Sequence, residues 1–372
     1  MTSFVSTVEG PEQPINLKYD QLNRWEHFRL ANVWTKLFNW EYWPTAIVNI
    51  PVIFYWLYFA LRSRKLFFFS NTNPVIETGG VLGESKINIL KRLPESVLPV
   101  TLFFEPRELT AEHILPQIKA AGLSYPIIVK PDVGERGFLV EKLKSEAELL
   151  AYIDQHKNPL ILQECIEYPM ELSVLYYRMP EATTGTILSV CIKETLTIVG
   201  DGVQTVESLL LRNSRARLQF KRLRQSHPIL MNRVLAPGES FEVEPIGNHS
   251  RGTKFLNGNQ YINMDLTTQF DAINLASEGM LYGRYDLKCT SIEDLSAGKG
   301  FKILEYNGVG GEPAHVYDPD YPLWKAYRDF YRCWRAIFQV SRAQSRLGIQ
   351  PMTIREGIRD LKKYMAYMKQ MS

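Results

Sequence analysis

Apolar positions along this chain fall into three textures. From Tyr42 to Leu61 the run YWPTAIVNIPVIFYWLYFAL carries no charge. From Pro126 onward, short apolar runs alternate with polar punctuation at strand length: PIIVK, GFLVEKL, LILQECI, ELSVLYYRM, TGTILSVCIKET and LTIVGDG. Helical spacing appears on both sides of these strands and once among them, in KSEAELLAYIDQH (Lys144–His156). Upstream, one helix is expected around Asn23–Asn39 and another over Glu84–Leu93, ahead of Pro94. Val97–Pro106 then reads as a strand, and Glu112–Gly122 as a helix with a glycine cap. Downstream come the helix Thr205–Gln225, basic in its later half, the strand FEVEPIG, the helix TTQFDAINLASEGM and the strands GRYDLKCTS and GFKILEYNG. A helical tail runs from Tyr321 to Ser372. Strands and helices mixed without strict alternation predict an α+β protein with mostly antiparallel sheets.

The uncharged run is as long as a membrane-spanning helix requires, and Arg62, Arg64 and Lys65 follow it at once, which would put the C-terminal part on the cytoplasmic side. Pro44, Pro51, Asn49 and the Trp, Tyr and Phe residues suit an interface or a packed edge better than a lipid-buried helix. Three readings stand at this level: a buried element, a segment lying on a membrane surface, or a span. The run and the C-terminal helix are also the two surfaces on which a homodimer could form.

Composition narrows the function. The 372 residues suffice for two or three substructures, and 43 Lys+Arg against 40 Asp+Glu give only +3, a balance that does not point to nucleic acid, whose binders carry a concentrated basic stripe. Cys165, Cys191, Cys289 and Cys333 form no CxxC pair, so buried thiols in a cytoplasmic setting are expected rather than disulfides or a zinc site.

Candidate chemistry gathers at the acidic end. Arg284 and Asp286 are two apart in one predicted strand, Glu305 and Asn307 two apart in another, so each pair shares a face. If the strands are neighbours, two carboxylates, an amide oxygen and a guanidinium meet, a donor set suited to a hard cation such as magnesium with an anionic intermediate alongside. Lys130 ends the run YPIIVK, where a buried stem can carry its ammonium to phosphate oxygens, and Gly134 and Gly137 allow backbone N–H groups close approach. In LILQECIEYPMEL, a base could be read by the backbone of Glu164–Ile166 and a ribose hydroxyl by Glu171, although either glutamate could equally be a solvated strand residue.

VKPDVGERG, LQECIEYPMEL, GDGVQT, GNHSRGT, GRYDLK and ILEYNGVGG, in this order over Lys86–Tyr317, resemble the ATP-grasp superfamily, and within it the D-alanine–D-alanine ligase and cyanophycin synthetase-like branch. The resemblance implies an ATP-grasp fold, two α+β subdomains clasping ATP. With it come an aromatic-rich N-terminal domain (1–96), a central subdomain (97–182), a C-terminal subdomain (183–320) and a helical tail (321–372). It implies an ATP-dependent carboxylate–amine ligase working through an acyl phosphate on small, amino-acid-like substrates, with ATP and Mg2+ or Mn2+ as cofactors. It further implies Lys91 and Lys130 on the phosphates and Gly134, Arg136 and Gly137 in the phosphate cover. Gln163, Glu164, Cys165 and Ile166 would form the adenine hinge, Glu171 would bind the ribose, and Lys193 would be a further phosphate-facing lysine. Asp286, Glu305 and Asn307 would hold the metal, with Arg284, Lys130 and Arg251 catalytic. His315 is expected to be structural, with positioning of the nucleophile as its other role.

Three departures stand out. The glycine loop carries Glu135-Arg136 where small residues are common. GVGGEPAH follows Asn307 where the D-alanine ligases have a proline-glycine turn with Thr or Ser, and the N-terminal region with NPVIETGG is unlike theirs. Two other outcomes therefore stay open: an enzyme of this scaffold using a thiol, hydroxyl or phosphate acceptor, and a membrane-associated nucleotide-binding protein without turnover. Retention of all three metal-ligand positions argues against the second.

Overall fold

The computed structural model of the chain describes residues 17–134, 137–226, 228–244 and 247–371. Two helices come first, α1 (Leu17–Phe38) and α2 (Thr45–Ser63), then loops and the short α3 (Lys86–Leu90). Ser85 starts α3 by accepting the Asn88 N–H on its hydroxyl at 3.2 Å.

The next stretch builds a four-stranded antiparallel sheet from β1 (Thr101–Phe104), β2 (Ile127–Pro131), β3 (Glu141–Leu143) and β4 (Leu160–Glu164), in the order β1-β4-β2-β3. The helices α4 (Ala111–Ala120) and α5 (Glu146–Gln155) cover one face. The alternation in IIVKP explains this: Ile127 and Val129 are fully buried against Ile114 of α4 and Leu149 of α5, which sends Ile128 and Lys130 to the opposite face.

A five-stranded antiparallel sheet follows, in the order β11-β10-β5-β6-β9. It is made of β5 (Met170–Arg178), β6 (Gly185–Glu194), β9 (Lys254–Asn257), β10 (Tyr282–Cys289) and β11 (Phe301–Asn307). Between β6 and β9 the chain detours through a small unit of β7 (Leu196–Val199), α6 (Val206–Arg212), α7 (Ser214–Ser226) and β8 (Ser240–Glu244). The single helix expected over Thr205–Gln225 is thus two. Asn213 takes an extended ψ of 118°, and its side chain accepts the N–H groups of Arg215 and Ala216, restarting the helix. One face of the large sheet, with Leu172, Val174, Tyr285 and Ile303, packs on α8 (Met264–Leu275) and α9 (Ile292–Ser296). On the other face, Leu175 and Tyr282 meet Phe59 and Ala60 of α2, Phe68, and Cys333 and Ile337 of α10 (Leu323–Arg346). The chain closes with α11 (Ile354–Met371) after a break at Gly348, which sits at φ +88°.

These two α+β halves face each other across a cleft, the arrangement that the ATP-grasp resemblance implies. Three boundaries move. β5 belongs to the second half, so the division falls ahead of Met170 rather than at residue 182. Residues 68–97 form no separate N-terminal domain with their neighbours, because Ile76, Ile89, Leu90, Leu93 and Val97 join the core under the large sheet. Asn73, fully buried, ties this segment to β10 by accepting from the N–H of Leu281 and Tyr282 while donating to the carbonyls of Gly79 and Tyr282. Likewise α10 is part of the central packing rather than of a tail.

The segments NPVIETGG and GVGGEPAH pack against one another. The turn at Gly79–Gly80 runs against Gly308–Gly310, with the Val309 N–H donating to Gly79 O at 3.0 Å and the Gly310 N–H to Gly80 O at 2.6 Å. A Cβ on Gly80 would lie 2.6 Å from the Gly308 Cα, so the two backbones can approach this closely only as glycines.

The uncharged run forms α2, but it is not the buried element that was one expectation. Val48, Phe59 and Ala60 are buried, whereas Phe54 is 64% and Leu61 79% exposed. Phe59→Ala is expected to lose about 3–5 kcal/mol of stability and Phe54→Ala less than about 0.5 kcal/mol, measured by urea denaturation.

Candidate active site

The cleft has a volume of about 510 Å³ and takes walls from both halves and from the start of α2. From the first sheet comes Lys130, buried at the end of β2, whose ammonium donates to Gln163 Oε1 on β4 and to the Leu304 carbonyl on β11, each at 3.0 Å. Burial is the main reason that its pKa falls to about 8, with Lys86 adding to the shift and Glu305 and Asp132 opposing it.

Lys86 is the second cation at this end. Asp132, just beyond β2, holds α3 in place by accepting the Ile87 N–H on Oδ1 at 2.8 Å and the Lys86 N–H on its carbonyl at 3.1 Å. That aims the Lys86 ammonium at the Gly134 carbonyl, 2.5 Å away, and at Glu305 Oε1, 3.9 Å away. Lys91, which the sequence suggested for this role, is exposed beyond the end of α3 and does not line the cleft. Lys86 takes its place there.

Gly134 and Gly137 line the cleft, whereas Arg136 lies outside the described residues. Gly137 has φ +71°, as the tight turn expected of this loop requires. Arg251 does not line the cleft. Its guanidinium reaches from the second half to the Gly137 carbonyl at 2.7 Å. Gln163, Glu164, Cys165 and Ile166 line the cleft edge, where the Glu164 carboxylate accepts the Val100 N–H at 3.1 Å and so braces β1.

The large sheet supplies a row of alternating charge. Antiparallel register sets Glu171 beside Lys193, Asp286 beside Glu305 and Arg284 beside Asn307. The Lys193 ammonium lies 3.0 Å from Glu171 Oε1 and 3.6 Å from Asp286 Oδ2. Asp286 takes two hydrogen bonds from Arg284, at 2.9 and 3.1 Å, and one at 2.6 Å from the Ser173 hydroxyl. Burial works against ionisation of Asp286, yet Arg284 and then Lys193 hold its pKa down to about 2. Burial likewise opposes the charge on Lys193, and Asp286 and Glu171 more than compensate, raising its pKa. The pairings predicted from strand periodicity are therefore present.

Among the described residues no group of three or more His, Cys, Asp and Glu side chains is placed to hold a metal. The expected trio of Asp286, Glu305 and Asn307 is nonetheless contiguous, with the Asn307 amide 3.3 Å from Asp286 Oδ2. Two carboxylates and an amide fit a hard divalent cation in kind. His315, fully buried, hydrogen-bonds Ser189 and Asp329 away from the cleft, the structural role expected of it.

The N-terminal wall was missed. Glu41, Trp43, Thr45, Val48 and Asn49 all line the cleft. Glu41 is buried and receives Arg215 on both oxygens at 2.9 and 2.7 Å, and it meets His249 at 2.9 Å. Burial raises its pKa, but His249 and Arg215 together hold it below the ordinary carboxylate range. This contact joins the N-terminal segment, α7 and the loop Gly247–Gly252. One signal was available: Thr45 and Asn49, the non-aromatic polar residues of the uncharged run, are four apart and so share a helix face.

No protein-family profile matches the chain, and no curated protein is similar to it by sequence. Among solved structures it is similar to a D-alanine–D-alanine ligase from Bacillus anthracis, with TM-score 0.40 and 12% identity over 69% of this chain and 67% of that one. It is also similar to the VanG D-Ala:D-Ser ligase from Enterococcus faecalis, with TM-score 0.37 and 13% identity over 74% and 62%. A third is a bifunctional glutathione synthetase from Pasteurella multocida, with TM-score 0.31 and 12% identity over 62% of this chain and only 34% of that one. Similarity at this level carries no functional argument, and the reading that follows rests on the residues of this chain.

Asp286→Asn, which takes from Arg284 its paired carboxylate and leaves Lys193 with Glu171 alone, is expected to cost about 3–5 kcal/mol in urea denaturation. Glu305→Gln, whose one ion pair is long and whose side chain is 34% exposed, is expected to cost less than about 1 kcal/mol.

Proposed function

We propose that the chain is an ATP-dependent carboxylate–amine ligase of the ATP-grasp type. The observation that carries this reading is the meeting in one cleft of Lys130 from the first sheet and Lys86 from α3 with the Glu171–Lys193–Asp286–Arg284 row and Glu305 of the large sheet. Cations spaced along a cleft beside hard oxygen donors suit a polyphosphate. The edge Glu164–Ile166, next to Ile128 and Val140, suits a flat base.

In this reading, Lys86 and Lys130 neutralise the phosphates and the loop Gly134–Gly137 covers them. The substrate carboxylate oxygen bonds to the γ-phosphorus, the bond from that phosphorus to the bridging oxygen breaks, and ADP leaves with the electron pair. An amine nitrogen then bonds to the acyl carbon, phosphate departs, and the nitrogen loses a proton, leaving an amide. Arg284 faces the charge that develops in both steps, and its guanidinium cannot lose its proton beside Asp286, so it serves as a fixed cation. Asp286, Glu305 and Asn307 would hold a divalent cation, which supplies charge neutralisation on the phosphates when bound. A cleft closed by the loop and by Arg251 would exclude water that could hydrolyse the acyl phosphate.

Glu305→Gln is expected to abolish ADP formation while leaving the fold intact. Lys86→Met is expected to weaken ATP binding at least tenfold, and Lys91→Met to leave it within about twofold. Coupled-enzyme turnover and calorimetry check these, and wild-type ATP consumption by Glu305→Gln would overturn the assignment.

The Lys130 value sets a pH dependence. Below about pH 8 the lysine is charged with or without ligand, so binding takes up no proton there. Above it the free protein holds a neutral amine that bound phosphates recharge. ATP binding should therefore consume a proton as pH rises past about 8 and be roughly tenfold weaker at pH 9 than at pH 7. Calorimetry in buffers of different ionisation enthalpy measures the uptake, and Lys130→Met should remove it.

A further inference from the structure

The helix α2 has two working faces, and only the inner one is used by the site. Its N-terminal end lines the cleft through Thr45, Val48 and Asn49, and its C-terminal half packs on α10, where Phe59 stacks 4.9 Å from Phe338 and Tyr55 meets Tyr331 edge-on at 5.5 Å. The outer face presents Ile47, Ile50, Ile53, Phe54, Leu57 and Leu61, all exposed. At its end stand Arg62, Arg64 and Lys65, also exposed.

A second exposed apolar stripe lies on α11. Ile354, Ile358, Leu361 and Met365 recur at helical spacing and are 44–63% exposed, and Arg355, Arg359, Lys362 and Lys363 are exposed on the same helix. The Lys65 ammonium donates to Gln350 Oε1 at 2.6 Å, which sets the end of α2 beside the loop that leads into α11.

We infer that α2, with α11 beside it, docks the protein on an anionic lipid surface. A span is ruled out in this fold, since one side of α2 is occupied by α10 and the cleft and cannot face lipid. Charge decides between lipid and a second copy of the chain. The outer face of α2 carries no charge, and the charges that follow it are all basic, which complements anionic headgroups. On α11 the cations outnumber the acids Glu356 and Asp360, and these are already engaged, Asp360 by Arg359 at 2.9 Å and Glu356 by Thr353 at 2.7 Å, so a two-fold pairing of the same patch would leave most of its cations without an acidic partner. Docking of this kind sets the N-terminal wall of the cleft about one helix diameter from the headgroups. It does not depend on the ligase reading, because vesicle binding needs no nucleotide.

The test is flotation of the full chain with phosphatidylcholine vesicles, with and without phosphatidylglycerol, at low and high salt. The chain is expected to float with the phosphatidylglycerol vesicles at low salt and to remain below with phosphatidylcholine alone. Phe54→Glu should abolish flotation, and the pair Arg64→Gln and Lys65→Gln should weaken partitioning roughly thirtyfold, each with wild-type thermal melting. Phe54→Ser serves if the glutamate variant fails to fold. Absence of flotation with both vesicles would overturn the inference. So would a wild-type dimer in light scattering that Phe54→Glu converts to monomer.

Discussion

Four charges on one sheet face, Glu171, Lys193 and Asp286 buried and Arg284 half-buried, set the terms for the rest of the molecule. Each would be costly alone, and each is held by an opposite neighbour within 3.6 Å. The row exists because antiparallel strands β5, β6 and β10 place alternate residues side by side, with Leu172, Val174, Tyr285 and Leu287 filling the core beneath. Such a row contributes little net stability compared with apolar residues of the same shape. In the proposed ligase reading its value is a fixed electrostatic surface that would need no rearrangement as charge develops above it.

Near that row the two halves touch, and α3, packed under the large sheet, is held to the first half by Asp132, which accepts the N–H groups of Ile87 and Lys86. Lys130 donates across the cleft to Leu304 O, Lys86 approaches Glu305, and Arg251 holds the Gly137 carbonyl. Lys130 and Gly137 of the first half are thereby each hydrogen-bonded to the second. The glycine pair Gly80 and Gly308 anchors the other end, where the N-terminal segment crosses the loop after β11.

Strand periodicity made the acidic end legible, because a period of two puts Arg284 with Asp286 and Glu305 with Asn307, and adjacent strands in sequence paired as neighbours. Lys86 was less accessible. Positions five apart on a helix differ by about 140° in direction, so exchanging Lys91 for Lys86 turns the ammonium from solvent to cleft. The short helix gave too few apolar positions to fix its phase. For α2, composition could not separate burial from exposure, since an uncharged helix reads the same against α10 as against lipid. The Glu41, Arg215 and His249 contact joins residues more than 170 apart in sequence, and no local pattern announces it.

A structure of the chain with a non-hydrolysable ATP analogue and magnesium is the most direct test of a cleft built for a polyphosphate. The triphosphate is expected between Lys86 and Lys130 beneath the loop Gly134–Gly137, with the base at Glu164–Ile166 and the terminal phosphate toward Asp286, Glu305 and Arg284. A nucleotide bound elsewhere, or a cleft that takes none, would contradict it.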